Sequence, residues 1–264
     1  MSRLLSELSG PAVAARLNAE SIVVVPTGAI EHHGPHLPLA TDHLIAEAIA
    51  AAAVEAAADA GLDVWRLPTL AYTKSDEHSW APGTVWLDWD TVFRTCLEIG
   101  RAVAKMGAGS IVFANGHGGN TALLGVVLRE IRRLHGLKTF TMPTLSMGAR
   151  SAPPAGEGVD EHGLGIHGGA AETSVMMHLR PDLVDLSLAQ RWVPEHLAHF
   201  DLIGFNARPV SFGWLSDDFG TPGVLGDPTQ ATAAYGAVLW NASVAQAVAS
   251  LQEIARFSHR AIPG

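Results

Sequence analysis

Histidines and carboxylates gather in three short glycine-rich segments, and these are the residues of the chain best suited to hold metal ions. The chain has 13 histidines. The candidate ligands among these clustered residues are Glu31, His33, Asp42, His117 and Glu172. Imidazole and carboxylate ligands suit Zn²⁺ or Mn²⁺, and the set has no cysteine, which argues against a structural zinc site. The residue types therefore predict a divalent-metal centre with positions open for water, as catalysis requires.

The spacing of the first two segments favours their convergence. Glu31 and His33 are two residues apart, so in an extended segment their side chains point to the same side. Asp42 stands at the start of a predicted helix, and its two oxygens can bridge a pair of cations. Glycines on both sides of His117 allow a close approach of the backbone. Asp42 alone is more simply a helix N-cap, but the three clusters together favour the metal site.

Alternating strands and helices must position these segments. Apolar runs predict buried strands at 21–26, 64–67, 110–114 and 138–142. Helix propensity, with glycine or proline stops, predicts helices at 42–60, 90–106, 121–135, 171–179 and 229–256. The remaining long segments, predicted as loops or irregular structure, are 69–87, 146–169 and 182–227. This order is typical of one α/β domain over residues 1–264, a three-layer α/β/α fold with a mostly parallel central sheet.

Composition excludes several classes of function. With 264 residues and 48% hydrophobic residues, the chain can bury a sizeable core. Its formal charge of −9 disfavours nucleic acid as a partner. No apolar stretch is long enough to predict a membrane span, and the first residues do not form an export signal, so a cytoplasmic location is expected. Cys96, the single cysteine, is predicted to pack in the core rather than to catalyse.

Three motifs resemble those of the creatininase, or creatinine amidohydrolase, family. They are Gly-x-x-Glu31-x-His33-Gly-Pro-His-Leu-Pro followed by Asp42, then Asn-Gly-His117-Gly-Gly-Asn, and then His167-Gly-Gly-x-x-Glu172-Thr-Ser. The loop Glu77-His78-Ser-Trp80-Ala-Pro-Gly-Thr is similar as well. The resemblance implies a creatininase-like fold, a small-molecule substrate and a homo-oligomer. Hexamers occur in the family, so a hexamer is one expected form.

The resemblance also implies roles for the clustered residues. Two divalent cations are expected per chain, with zinc first and manganese or iron as alternatives. Glu31 and His117 would bind one cation and His33 and Glu172 the other, with Asp42 and a water between them. The shared water, acidified to hydroxide, would attack the carbonyl of an amide. The resemblance further implies that His167 donates a proton to the leaving nitrogen or stabilises the oxyanion, and that His78 and Trp80 contact the substrate.

Departures from creatininase bear on the substrate. Gly119 stands where creatininase has an active-site glutamate, and Gly163 and Met147 occupy tryptophan positions. We therefore expect hydrolysis of the C–N bond of a cyclic amide or formamide other than creatinine. The family also includes hydrolases of cyclic ketone sugars and peptidases that trim a precursor peptide, and both stay open. So do an isomerase or lyase using the same ligands, and an inactive metal-binding regulatory protein.

Overall fold

A parallel sheet forms the centre of the structure, a computed structural model that describes residues 2–145, 161, 163–205 and 208–260. The strands within these residues are β1 (Ile22–Thr27), β2 (Val64–Arg66), β3 (Ser110–Asn115) and β4 (Lys138–Pro143). Their order in the sheet is β2-β1-β3-β4, and every neighbouring pair is parallel. The predicted parallel sheet is therefore confirmed, with strand bounds within about two residues of those expected.

Helices cover both faces of this sheet. The α-helices within the described residues are α1 (Gly10–Ala14), α2 (Thr41–Asp59), α3 (Trp89–Lys105), α4 (Thr121–His135), α5 (Ala170–Leu179) and α6 (Ala233–Arg256). Helices α3 and α4 pack on one face, around Phe113 and the buried Cys96. Helices α2 and α6 pack on the other, around Val112. Successive residues of a strand point to opposite faces, so β3 supplies both cores and the three-layer prediction is confirmed. Within the described ranges, no helix is long and apolar enough to cross a membrane.

Two helix starts differ from those expected. Helix α2 begins at Thr41 with Ala40 as its N-cap, so Asp42 lies inside the first turn and is not the cap. Helix α6 begins at Ala233 rather than at Thr229, because the side chain of Thr232 accepts a hydrogen bond from the Tyr235 amide and caps the helix there. The first difference matters for function, since it leaves the Asp42 carboxylate free of the helix backbone.

The long loop predicted at 69–87 contains a short 3-10 helix, Asp76–His78. This turn buries both Glu77 and His78. Apolar periodicity gave no sign of it because the turn is short and polar. Asp160, His162 and Met147, which belonged to the predicted loop 146–169, lie outside the described residues.

Gly236→Ala is expected to lower the free energy of unfolding by about 1–3 kcal/mol, because overpacking strains a tight contact. A Cβ at Gly236 would lie 1.9 Å from the backbone oxygen of Ser174, where α6 crosses α5. Gly125→Ala on α4 is the control, since nothing lies within 4 Å of its Cβ, and it is expected to stabilise by roughly 0.5–1 kcal/mol. Denaturant unfolding of both variants checks this, and equal midpoints would contradict the close packing of α5 on α6.

Candidate metal centre

The site lies beyond the carboxyl ends of β1 and β3. These strands are neighbours, paired in register up to Thr27 and Asn115. The segments carrying Glu31 and His117 therefore leave the sheet at the same edge, where parallel sheets place ligand sites. The start of α2 closes the site from a third side with Asp42.

One carboxylate spans two histidines at the centre of this site. The Oδ1 atom of Asp42 lies 3.1 Å from Nε2 of His33, and Oδ2 lies 3.0 Å from Nδ1 of His117. Glu31 spans the same pair, with Oε2 at 3.3 Å from Nδ1 of His117 and Oε1 at 3.9 Å from Nε2 of His33. The hydroxyl of Ser75 donates a hydrogen bond to Oε2 of Glu31. Two buried carboxylates thus lie against the same two imidazoles.

The outer nitrogens of these imidazoles determine where their protons lie. Nδ1 of His33 is 3.1 Å from the carbonyl oxygen of Glu31, and Nε2 of His117 is 2.7 Å from that of Lys74. A carbonyl oxygen only accepts, so in the neutral ring each outer nitrogen carries the hydrogen and each inner nitrogen presents a lone pair. Metal-binding histidines have this arrangement, with the outer N–H given to a backbone carbonyl.

The inner nitrogens therefore face carboxylate oxygens, acceptor against acceptor. Glu31 is fully buried, and its Oε1 has no hydrogen-bond partner among the residues that the structure describes. A buried acceptor left without a donor is costly. Cations held by these carboxylates and imidazoles would remove this conflict, so the residues present fit a metal centre.

The pKa values of His33 and Asp42 also show that the centre favours bound positive charge. Burial acts to lower the pKa of His33, but the carboxylates of Asp42 and Glu31 outweigh it and raise that pKa to about 10. Burial acts to raise the pKa of Asp42, yet His33 and His117 hold it well below its usual value. The centre thus attracts protons or metal cations to its inner nitrogens.

Two groups of three buried side chains have donor atoms within 4.8 Å of one another, close enough to share one ion. The first is Glu31, Asp42 and His117, and the second is Glu31, His33 and His167. Four of the five predicted ligands thus come together in these groups. The predicted proton donor, His167, lies among them.

The fifth predicted ligand, Glu172, lies on the first turn of α5 and lines the same cavity. Its Oε2 accepts a hydrogen bond of 2.7 Å from the Gly168 amide. It belongs to neither of the two groups of three. Ligation by Glu172 stays a prediction.

The two predicted substrate contacts have different environments. His78 is 2% exposed and lines the cavity, with Nε2 at 3.5 Å from Oε1 of Glu31. Trp80 is half-exposed, donates to the Ser216 hydroxyl at 2.6 Å, and packs its edge against His32. Trp80 is not among the described residues that line the cavity, whereas Trp214, from the region predicted as irregular, is.

Glu77 is a functional candidate that the sequence did not single out. Its Oε1 is 3.3 Å from Nε2 of His117, and its Oε2 accepts from Nζ of Lys74 at 3.0 Å. A Cβ at Gly119 would lie 1.9 Å from that Oε1. The Glu77 carboxylate thus fills the space next to Gly119, where creatininase carries its glutamate. Its position directly before His78, in the loop that resembles the family, is the sequence feature that could have identified Glu77.

A cavity of about 570 Å³ opens over the centre. Its floor is formed by Glu31, Asp42, His117 and His167. Its wall includes Phe205, Phe212 and Trp214 from the irregular region, with Lys74 and Glu77 on another side. The metal centre thus faces a pocket that is acidic at its base and aromatic along one wall.

Comparison with known proteins connects this site to one family. The family model described as "Creatininase: Creatinine amidohydrolase" matches residues 6–251. The chain is 37% identical over 216 residues to a mycofactocin precursor peptide peptidase of Mycolicibacterium smegmatis, covering 81% of this chain and 78% of that protein. It is 32% identical over 231 residues to the creatinine amidohydrolase of Pseudomonas putida, covering 81% of this chain and 86% of that protein.

Solved creatininases have the same fold. An Mn form superposes with a TM-score of 0.74 at 26% identity, covering 96% of this chain and 98% of that chain. Creatininases have also been solved in a Zn-Zn form. The family match covers most of the chain and includes all three motifs of the site. The chain therefore belongs to the creatininase family and is a metal-dependent amidohydrolase.

Proposed function

We propose that this protein is a binuclear metallohydrolase that cleaves a peptide-type amide bond. The metal dependence is supported by the buried contacts between imidazole nitrogens and carboxylate oxygens, which are both hydrogen-bond acceptors. The inner nitrogens of His33 and His117 point at the Asp42 carboxylate from opposite ends, at 3.1 and 3.0 Å. One carboxylate that serves two imidazole ligands is the arrangement expected of a bridge between two cations.

Two bound cations would supply a water acidified to hydroxide near neutral pH and would polarise the substrate carbonyl. The chain's own residues prepare the place for this chemistry. Asp42 and Glu31 concentrate negative charge away from solvent, and the Ser75 hydroxyl holds one Glu31 oxygen in position. The carbonyls of Glu31 and Lys74 orient the two imidazoles before any substrate arrives. Such preorganisation lowers the cost of reaching the transition state.

Cavity size and wall chemistry support a peptide substrate. A volume of about 570 Å³ lies within the range of roughly 300–1,000 Å³ typical of pockets for drug-sized ligands, and one small ring such as creatinine would leave most of it empty. Phe205, Phe212 and Trp214 offer an apolar wall for a side chain next to the scissile bond. The 37% identity to a precursor peptide peptidase agrees with this.

A small cyclic amide or a formamide is the second candidate. It is favoured by the match to the creatinine amidohydrolase family model. Hydrolysis of a cyclic ketone sugar has no feature of the described site in its favour. No feature of the described site favours a regulatory role without turnover either, because both groups of three candidate ligands are present.

Zinc is the proposed cation, with manganese and iron as alternatives, because imidazole and carboxylate ligands accept all three. The cytoplasmic location and the homo-oligomeric state stay predictions from the sequence. A hexamer is the form to test first, by light scattering of the purified protein.

Metal removal is expected to abolish hydrolysis while the fold persists. The sheet and both apolar cores lie away from the centre, but the chelated protein keeps buried carboxylates without their cations, so its melting temperature should fall. Elemental analysis should find close to two metals per chain before chelation and after reloading with Zn²⁺ or Mn²⁺. Full activity of the metal-free protein would overturn the proposal.

A substrate panel for the metal-loaded enzyme separates the two candidates. The panel contains short peptides with an aromatic or an aliphatic residue beside the scissile bond, small formamides, cyclic amides and creatinine. We expect peptides with the aromatic residue to exceed every small amide in kcat/KM by at least about tenfold, as a filled apolar pocket allows. Turnover of the small amides alone would assign the second candidate instead.

A further inference from the structure

The aromatic wall of the cavity belongs to a segment with little regular structure. Residues 211–223 contain one short 3-10 helix, Ser216–Phe219, and contribute Phe212 and Trp214 to the wall. The ring of Phe219 packs on both, with centroids 6.4 and 5.8 Å away. Neither a strand nor an α-helix lies between residues 211 and 223, all of which the structure describes. The position of this wall over the metal centre therefore depends on individual side-chain contacts.

Ser216 connects this segment to the turn Asp76–His78, which lines another side of the cavity. Ser216 is 1% exposed, whereas the other residues from 211 to 220 are not buried. Its hydroxyl accepts a hydrogen bond of 2.6 Å from Nε1 of Trp80 and donates one of 2.9 Å to the carbonyl oxygen of Glu77. These directions are fixed, because an indole N–H only donates and a carbonyl oxygen only accepts. One buried hydroxyl thus joins the aromatic segment to the turn.

Trp80 also supports the far end of the segment. Gly223 has a φ of 61°, and a Cβ there would lie 2.5 Å from Cδ2 of His32 and 3.0 Å from Cζ2 of Trp80. The ring of His32 packs against that of Trp80, with centroids 5.5 Å apart, and its Nε2 donates to the carbonyl oxygen of Pro222 at 3.1 Å. The indole therefore meets the segment twice, at Ser216 through its N–H and at Gly223 through the edge of its ring.

We propose that Trp80 and Ser216 are positioning residues that set a preference for an aromatic side chain beside the scissile bond. They hold the wall of Phe212 and Trp214 in place over the metal centre and do not touch the substrate themselves. This inference rests on the proposed peptide hydrolysis and names the residues that determine its specificity. It gives Trp80 a role other than the substrate contact predicted from the sequence, in agreement with its place outside the described lining of the cavity.

The effect should be confined to substrates whose side chain reaches the wall. Dispersion contacts weaken steeply once a gap of about 0.5–1 Å opens between packed atoms. A wall that loses its hydrogen bonds at Ser216 therefore loses contact with an aromatic side chain, whereas an alanine in the same place has no ring to contact it. Chemistry at the metal centre should be unchanged, because neither Trp80 nor Ser216 is among the described residues that line its cavity.

Trp80→Phe tests the proposal, because it keeps a ring beside His32 but removes the N–H that Ser216 accepts. Two short peptides serve as probes, one with phenylalanine and one with alanine beside the scissile bond. In the metal-loaded variant, the ratio of their kcat/KM values should fall by roughly tenfold, through a higher KM for the phenylalanine peptide. The alanine peptide and the metal content should stay at wild-type values. Partial unfolding lowers both rates alike, so the ratio separates positioning from stability.

Trp86→Phe is the matched control for this variant. Trp86 is 40% exposed, against 37% for Trp80, and it is not among the described residues that line the cavity. Its ratio of the two kcat/KM values should equal that of the wild type. An equal fall in Trp86→Phe and Trp80→Phe would overturn the proposal, since the hydrogen bond to Ser216 would then have no special part in the preference.

Ser216→Ala tests whether Trp80 acts through the serine. This variant should also lower the ratio, and the double variant should lower it by clearly less than the product of the two single effects, because residues in one hydrogen-bond chain are coupled. Unchanged ratios in both single variants, or a full product in the double variant, would overturn the inference and leave peptide hydrolysis standing. So would a wild type that cleaves both peptides equally well. A wild type that cleaves no peptide would overturn the proposed function itself, and this inference with it.

Discussion

Glu31→Gln should abolish metal binding and turnover while leaving the chain folded. Glu31 is the one residue shared by both groups of three, and its two oxygens face different imidazoles. Burial raises the pKa of Glu31, which indicates how costly its charge is without a cation. A glutamine amide keeps the shape and can donate to the inner nitrogen of His167 or His33, so the variant should melt no lower than the metal-free wild type.

The expected loss of kcat/KM is more than about a hundred-fold. Removing a residue that only orients a metal ligand costs up to about a hundred-fold, and removing a ligand itself should cost more. Elemental analysis, kinetics and thermal melts check the three parts of this prediction. Glu47→Gln is the matched control, because Glu47 is a partly exposed carboxylate on α2 whose partner is His43, at 3.4 Å. A Glu31→Gln protein with two metals and full activity would eliminate the proposed centre.

Gly119→Ala should impair the centre by a steric route. The new Cβ would lie 1.9 Å from Oε1 of Glu77 and 2.4 Å from Nε2 of His117. The Glu77 carboxylate ends a flexible side chain but is paired with Lys74, and the His117 ring is held by the Lys74 carbonyl. Both must shift, which turns the inner nitrogen of His117 away from Asp42. We expect metal affinity and kcat/KM to fall by roughly 10–100-fold.

Gly118→Ala is the control for this prediction. It lies next to Gly119, and a Cβ there has nothing within 4 Å. It should bind metal and turn over substrate as the wild type does. Zinc affinity measured by competition with a chelator, together with kcat/KM, compares the two variants. Equal values for both would show that the position of Glu77 beside Gly119 has no bearing on the centre.

The sequence by itself determined the layers of the fold and most of the residues that meet at the candidate metal centre. The β-branched run in β1 and the alanine-rich stretch of α2 each favour one kind of element, and Gly136, with a φ of 73°, ends α4 where predicted. Glu31, His33, Asp42 and His117 were recognisable because each lies in or next to a glycine-flanked motif that follows a strand. Such signals are local, so they can be read from neighbouring residues alone.

Only the tertiary structure decided how the side chains at the centre are used. The carbonyls of Lys74 and His32, on loops remote in sequence from the rings they bind, determine which nitrogens of His117 and His167 face the carboxylates. A short 3-10 helix without apolar periodicity places Glu77 next to His117. Helix α2 begins one residue earlier than expected and has Ala40 as its N-cap, and the Asp42 carboxylate lies between His33 and His117. Each of these outcomes depends on contacts between distant segments, which neither local propensity nor motif spacing encodes.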